Sequence, residues 1–136
     1  MQDKFFLDTN VLIYAYSNTE TVKQSISGKI MENNCTVIST QVLQEITNIL
    51  RKKFGKNYTE LKNVLEECKK NIYLVHTNTY HTVLRACDIA ERYRFSFYDS
   101  MIVAAALESK CKILYSEDLQ HKQIIDNQLT VFNPFV

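Results

Sequence analysis

The chain has 136 residues, 46% of them hydrophobic, with one Pro and two Gly, which suits one domain over residues 1–136 with a sizeable core. Its 16 basic and 15 acidic residues leave a formal charge of +1, so it is no polycation that coats nucleic acid by charge alone, and any such contact must use local patches. Cys35, Cys68, Cys87 and Cys111 form no CxxC pair and have no histidine at zinc-finger spacing, which reads as buried free thiols of a reducing cytosol. The start, MQDKFFLDTN, lacks a basic region followed by a long apolar core, and no stretch is long enough to span a bilayer. A soluble cytoplasmic protein is expected.

Short apolar runs alternate with helical periodicity along the chain. Strands are predicted near Lys4 to Leu7, Thr36 to Ile38, Ile72 to Val75 and Lys112 to Tyr115, with Leu129 to Phe132 as a fifth. Helices are predicted over Val11 to Tyr16, Glu20 to Glu32, Thr40 to Phe54, Tyr58 to Lys70, Thr77 to Tyr93 and Asp99 to Ser109. Gly55 and Asn57 end the helix from Thr40, and the helix from Tyr58 then returns, which makes a protruding helical hairpin. The alternating order predicts an α/β fold, a three-layer α/β/α sandwich around a mainly parallel sheet of four to five strands.

Four acids stand out against this frame. In KFFLDTNVL the apolar run Phe5-Phe6-Leu7 stops at Asp8, and a polar turn feeds a helical pattern. In KILYSEDL the run Ile113-Leu114-Tyr115 passes into Ser116-Glu117-Asp118, and Asp99 opens the helix SMIVAAAL. Glu45 lies at the edge of the apolar face formed by Val42, Leu43, Ile46, Ile49 and Leu50. In parallel α/β sheets the loops at the carboxyl edge gather where ligands bind. Clustered carboxylates repel one another unless a cation sits among them, and hard oxygen ligands without His or Cys select Mg²⁺, with Mn²⁺ as a substitute. Taken singly, Asp8, Asp99 and Asp118 also fit helix caps, and Glu45 fits an ordinary surface residue.

Other residues carry less. Arg51, Lys52, Lys53 and Lys56 form the densest basic cluster, a candidate RNA-binding patch whose plainer reading is a helix end that complements the dipole. Tyr14, Tyr16, Phe95, Phe97 and Tyr98 have the faces to stack on bases, although aromatic residues at such junctions are more often core. His76, His81 and His121 share no metal-ligand spacing, and Ser100 has no histidine partner for nucleophilic chemistry.

The segments FLDTNVLIYAY, TQVLQEI, SFYDSMIVAAAL and LYSEDLQH resemble, in order and over nearly the whole chain, the successive motifs of the PIN-domain family. The resemblance implies a Mg²⁺-dependent endoribonuclease, of which many of this length are VapC-type toxins of toxin–antitoxin pairs. It assigns Asp8, Glu45, Asp99 and Asp118 to the acidic, catalytic and metal-binding set. Thr9, Asn10 and Ser116 match its supporting polar positions. It also implies an RNA substrate cut to 5′-phosphate and 3′-hydroxyl ends, a homodimer, and a cognate antitoxin bound near the acids. Lys122 and Asn127 stand where glycines are common in a subgroup of the family, so the turns there are open to question.

Four other readings compete. A haloacid-dehalogenase-type phosphatase wants a second Asp where Asn10 stands, and a response-regulator receiver wants a paired acid near Asp8 and a Lys after the last strand. A non-catalytic RNA-binding or assembly module gains nothing from four negative groups facing phosphate. A PIN nuclease outside toxin–antitoxin systems is the remaining alternative.

Overall fold

The computed structural model describes residues 3–33 and 35–136. Its elements are β1 (Phe5–Leu7), α1 (Thr9–Ala15), α2 (Thr21–Met31), β2 (Thr36–Ser39), α3 (Thr40–Phe54), α4 (Tyr58–Lys70), β3 (Leu74–His76), α5 (Tyr80–Tyr93), α6 (Phe97–Glu108), β4 (Ile113–Tyr115), β5 (Ile124–Ile125) and β6 (Leu129–Phe132). The strands form one sheet in the order β3-β2-β1-β4-β6-β5. All pairings are parallel except that of β5 with β6. Central strand β1 is covered on both faces, so it reads as an unbroken apolar run and all of its residues are buried.

Right-handed crossovers decide which helices share a face. From β1 through β2 to β3 the chain moves in one direction across the sheet, which puts α1 to α4 on one side. From β3 it returns to β4, which puts α5 and α6 on the other. The packing agrees: α1 lies against α2 and α3, α3 against α4, and α5 against α6. In α6 the residues from Ser100 to Leu107 are all buried, so this helix is apolar all round because it lies in the core. No helix among the described residues is long and apolar enough to cross a membrane.

The hairpin of α3 and α4 has clear local causes. The Ser39 hydroxyl accepts from Val42 N at 3.4 Å to start α3, and Gly55, at φ 64°, ends it in the left-handed conformation. Asn57 and Glu60 then form a capping box that starts α4. From residue 51 to 60 every residue is exposed except the half-buried Lys56, so the hairpin tip stands clear of the domain.

The sheet differs from the sequence expectation by one strand, six rather than four or five. The added β5 is two residues long and pairs antiparallel with β6. It returns through Asp126 and Asn127, at φ 50° and 55°, with Gln128 N–H donating to Ile125 O at 3.0 Å. Positive φ at both central positions marks a type I′ turn. Lys122 also sits at φ 70°. The two positions where glycine was missed therefore keep the left-handed backbone that glycine would adopt. The other shifts are at ends: β3 starts at Leu74 rather than Ile72, α5 at Tyr80 rather than Thr77, and α6 at Phe97 rather than Asp99. The cysteines also need a correction. None forms a disulfide, and Cys68 and Cys111 are buried, but Cys35 is half-buried and Cys87 is exposed.

The left-handed Lys122 generates a test. A side chain there costs about 1–2 kcal/mol, partly offset by the entropy that glycine loses on folding. Lys122→Gly is expected to hold or raise stability, by about 0.5 kcal/mol, whereas Lys122→Val should lower it by more than 1 kcal/mol. Urea melts of the two variants check the ranking, and equal midpoints would show that the turn does not hold this conformation in solution.

Candidate active site

The carboxyl edge of the sheet has its topological switch point between β1 and β4. From there β1 leads away to β2, and β4 leads the other way to β6, so the loops that follow them diverge and leave a crevice. Leu7 is level with Tyr115, and Asp8 N–H donates to Tyr115 O at 3.0 Å. Asp8 is thus the first residue past β1 and Ser116 the first past β4.

Asp8 is only 6% exposed. Its Oδ1 accepts from Thr9 N at 2.7 Å, capping α1, and its Oδ2 accepts from the Ser116 hydroxyl at 2.8 Å. Burial pushes its pKa up to about 6, against the lowering effect of the Ser116 and Thr9 hydrogen bonds, with Asp118 and Asp99 adding to the rise. Capping and membership of an acid cluster are not alternatives here, since the same carboxylate does both.

One cleft of about 110 Å³ brings together Asp8, Glu45, Asp99 and Asp118, with Thr9, Asn10, Gln41, Ile49, Tyr98 and Ile102 around them. Its size suits an ion with a few waters and falls well below the roughly 300 Å³ of drug-sized pockets. A larger groove, about 410 Å³ along α3 at Leu43, Thr47, Arg51 and Tyr58, carries no carboxylate. Thr9 Oγ1 donates to Glu45 Oε1 at 2.7 Å, and Asn10 Nδ2 donates to Asp118 Oδ2 at 3.3 Å. The Asp118 pKa is raised, first by desolvation against the cleft and then by the charges of Asp99 and Glu117.

The helix starts differ from expectation. Asp99 does not cap α6. Ser96 does, its hydroxyl accepting from Asp99 N at 3.2 Å, and Asp99 lies in the first turn, half-buried. No helix follows Asp118. Its loop is held instead by the Ser116 hydroxyl, which accepts from Asp118 N at 3.2 Å and Leu119 N at 3.4 Å.

Glu117 and Asp118 diverge. Tyr14 OH donates to Glu117 Oε1 at 2.6 Å and Lys23 Nζ to Oε2 at 3.1 Å. The Lys23 ammonium also lies over the rings of Tyr14 and Phe135. Glu117 is therefore occupied away from the cleft, and Asp118 lines it.

Gln41 had no signal in the sequence beyond its place one turn before Glu45. It is 6% exposed, and its Nε2 donates to Tyr98 O at 3.2 Å and to Glu45 Oε1 at 3.5 Å. Both partners are acceptors, which fixes the amide orientation. Its Oε1 is buried with no hydrogen-bond partner.

The basic cluster divides. Arg51 donates to Lys56 O at 3.0 Å and lies over the Tyr58 ring, tying the hairpin tip. Lys52 and Lys53 are exposed, one and two turns along α3 from Ile49 and Glu45, so they lead away from the cleft on its own helix face. Phe97 and Tyr98 depart from the packing expectation at 41% and 67% exposure. Phe95 stacks on Tyr93 as core does. His121 Nδ1 accepts from Asn133 N at 2.9 Å, and His76 pairs with Glu108 at 3.0 Å.

Among the described residues no three acid, histidine or thiol groups are already gathered tightly enough to hold an ion. The four carboxylates line the cleft, but Asp8 is held by Thr9 N–H and Ser116, Glu45 by Thr9 and Gln41, and Asp118 by Asn10. The donor set nonetheless fits a hard divalent cation. It is all oxygen, one member is buried with a raised pKa, and a further buried oxygen on Gln41 has no partner.

Burial of Asp8 adds a pH-dependent contribution to stability. Its folded pKa of about 6 exceeds the usual 3.8, so between these values the folded state binds more protons and stability falls as pH rises. Asp8→Asn keeps an oxygen for the Thr9 cap and removes the titration. In EDTA its melting temperature should exceed wild type at pH 7 and vary less between pH 4 and 6. Mg²⁺ should raise the wild-type melting temperature but not that of the variant. A lower melting temperature for Asp8→Asn at pH 7 would reduce Asp8 to a cap.

Comparisons with known proteins bear on the fold and the family. No curated protein sequence matches the chain significantly. Among solved structures the chain is similar to a chain of a toxin–antitoxin complex from Klebsiella pneumoniae, at 18% identity and TM-score 0.70, over 96% of this chain and 98% of that one. It is also similar to VapC20 of Mycobacterium tuberculosis, a toxin that cleaves the sarcin–ricin loop, at 15% identity and TM-score 0.68, over 83% and 88%. A third is DNA-bound VapBC from Salmonella typhimurium, at 20% identity and TM-score 0.66, over 96% and 97%. At these identities the likeness establishes the fold. The family model of the PIN domain matches residues 5–126, and the chain belongs to the PIN-domain family.

Proposed function

We propose that this chain is a Mg²⁺-dependent endoribonuclease and the toxin of a toxin–antitoxin pair. The observation that carries the reading is the convergence of Asp8, Glu45, Asp99 and Asp118 in one cleft around a buried carboxylate. The family supports it, and several similar folds come from toxin–antitoxin complexes. In this reading the four acids hold the ion, with Mn²⁺ able to replace Mg²⁺. When bound, such an ion polarises a phosphoryl oxygen and lowers the pKa of a bound water.

The chain's own residues prepare the site. Ser116 and Thr9 fix both oxygens of Asp8, so its orientation costs nothing at the moment of binding. Thr9 occupies one oxygen of Glu45, leaving the other to a ligand or to a water proton. Asn10 steadies Asp118 from the start of α1. Ile49 and Ile102 give the cleft apolar walls, in which charge interactions are stronger than in water.

Partners follow from the surface. Helix α5 buries Thr82, Ala86 and Ile89, yet its outer face exposes Tyr80, Val83, Leu84 and Cys87 at helical spacing. This apolar stripe supports the homodimer. An antitoxin that places a basic side chain among the acids would neutralise them and close the cleft. Such a pair would act in the cytoplasm.

Purified protein should cleave single-stranded RNA with Mg²⁺ or Mn²⁺ and stop in excess EDTA. Asp8→Asn or Asp99→Asn should reduce turnover at least 100-fold, on the order expected for losing a metal-held transition-state contact. Asp118→Ala should reduce cleavage strongly and raise the Mg²⁺ requirement, whereas Glu117→Ala should change both far less. Full turnover in EDTA would end the metal mechanism, and harmless expression with no co-purifying partner would leave a nuclease without the toxin role.

Exchange of Lys52, Lys53 and Lys56 for Gln should weaken RNA binding and flatten its salt dependence, because each lost phosphate contact removes a counterion-release contribution. An unchanged slope of log Kd against log salt would return the cluster to a helix end.

A further inference from the structure

We propose that Tyr98, braced by Phe97, is a stacking platform for an unpaired RNA base next to the phosphate that enters the acidic cleft, an inference that rests on reading the cleft as a phosphodiester site. Helix α6 is buried from Ser100 to Leu107 and reaches the surface only at its ends. At its first turn it exposes two adjacent aromatic rings, Phe97 at 41% and Tyr98 at 67%.

Tyr98 is directed by its helix. It stands one turn before Ile102, on the same face, and both line the cleft with Asp99 between them in sequence. Tyr98 therefore stands at the rim, beside the acids. Its support is rigid: Gln41 Nε2 donates to its carbonyl at 3.2 Å, and the Ser96 hydroxyl and carbonyl hold Asp99 N and the Ser100 hydroxyl. The Phe97 ring meets the Tyr98 ring edge-on, with centroids 5.3 Å apart.

The size of the cleft selects the ligand. At about 110 Å³ it takes a phosphate oxygen, an ion and waters, but it leaves the attached base outside. A base tethered through its sugar to that phosphate must rest on the rim, and a stacking ring there accepts any base that is not already paired. The opposite wall continues past Ile49 to exposed Lys52 and Lys53, which suits a strand that carries further phosphates. An apolar protein partner would account for the rings, but not for the place of Tyr98 beside the acids, on a cleft whose opposite wall leads to exposed lysines.

The test measures binding without cleavage. End-labelled single-stranded RNA is titrated with wild type, Tyr98→Phe and Tyr98→Leu in Ca²⁺, a hard oxygen-binding ion used in place of Mg²⁺, at several salt concentrations, with the RNA checked to be uncut and folding checked by circular dichroism. Tyr98→Leu should weaken binding at least about fivefold, as expected for one lost base stack, with no change in salt slope, because no phosphate contact is lost. Tyr98→Phe should stay within about twofold. A single abasic nucleotide, moved along the RNA, should at one position weaken binding to wild type by the same factor and leave Tyr98→Leu unaffected.

Wild-type affinity in Tyr98→Leu, or an equal abasic loss in both proteins, overturns the platform. So does a Tyr98→Leu change confined to self-association in sedimentation, which would make the rings a contact between copies. Abasic coupling in a protein that fails to cleave RNA with Mg²⁺ would uphold the platform while removing the nuclease reading.

Discussion

A carboxylate buried at the end of a parallel sheet is the constraint on which the site depends. Asp8 gives up nearly all of its hydration, and only three things compensate: the Thr9 N–H at the start of α1, the Ser116 hydroxyl, and whatever cation the cleft admits. The first two are supplied by the fold itself, since β1 and β4 are neighbours and end level with each other. They do not suffice, because the pKa of Asp8 still rises to about 6. Below that pH a proton meets the remaining deficit, and a cation held here would meet it above.

Ser116 extends that constraint into the loop after β4. Its hydroxyl proton goes to Asp8, and its lone pairs receive the backbone of Asp118 and Leu119. The order of the turn and the orientation of the buried acid are thus one hydrogen-bonded unit. Glu117 projects the other way, into Tyr14 and Lys23. Lys23 is partly exposed, so the ion pair contributes little to stability. Its structural effect is larger than its energy, because it draws an unwanted fourth-strand acid away from a site already crowded with negative charge.

Much of this was legible in the residues. The apolar run that stops at Asp8 and the similar run before Ser116 gave both central strands, because each is too short for a helix and runs into a polar turn. The helical repeat through Val42, Ile46 and Leu50 placed Glu45 at the edge of a buried face, and Gly55 ended that helix where it should. Three things were hidden. Strand β5 has only two residues, and its turn uses Asp126 and Asn127 without glycine. Helix α6 starts at Phe97 because Ser96 supplies the cap, and a cap competes poorly with an Asp three residues later as a visible signal. Gln41 joins the cleft through a contact between α3 and the first turn of α6, which no local pattern contains, whereas Tyr98 was readable as a ring able to stack but not as an exposed one.

The two walls of the cleft come from opposite helical layers, α3 on one side of the sheet and α6 on the other. They meet only because the switch point opens between β1 and β4. Glu45 and Ile49 face Tyr98, Asp99 and Ile102 across that gap, and the apolar members keep the local dielectric low. Low dielectric strengthens repulsion among the acids as much as attraction to a cation. Glu45 and Asp118 accordingly accept from Thr9, Gln41 and Asn10. The same geometry presents negative charge to any phosphate that approaches. A surface that only held RNA would therefore work against its own ligand, and the arrangement becomes favourable for phosphate once a divalent charge stands between the two.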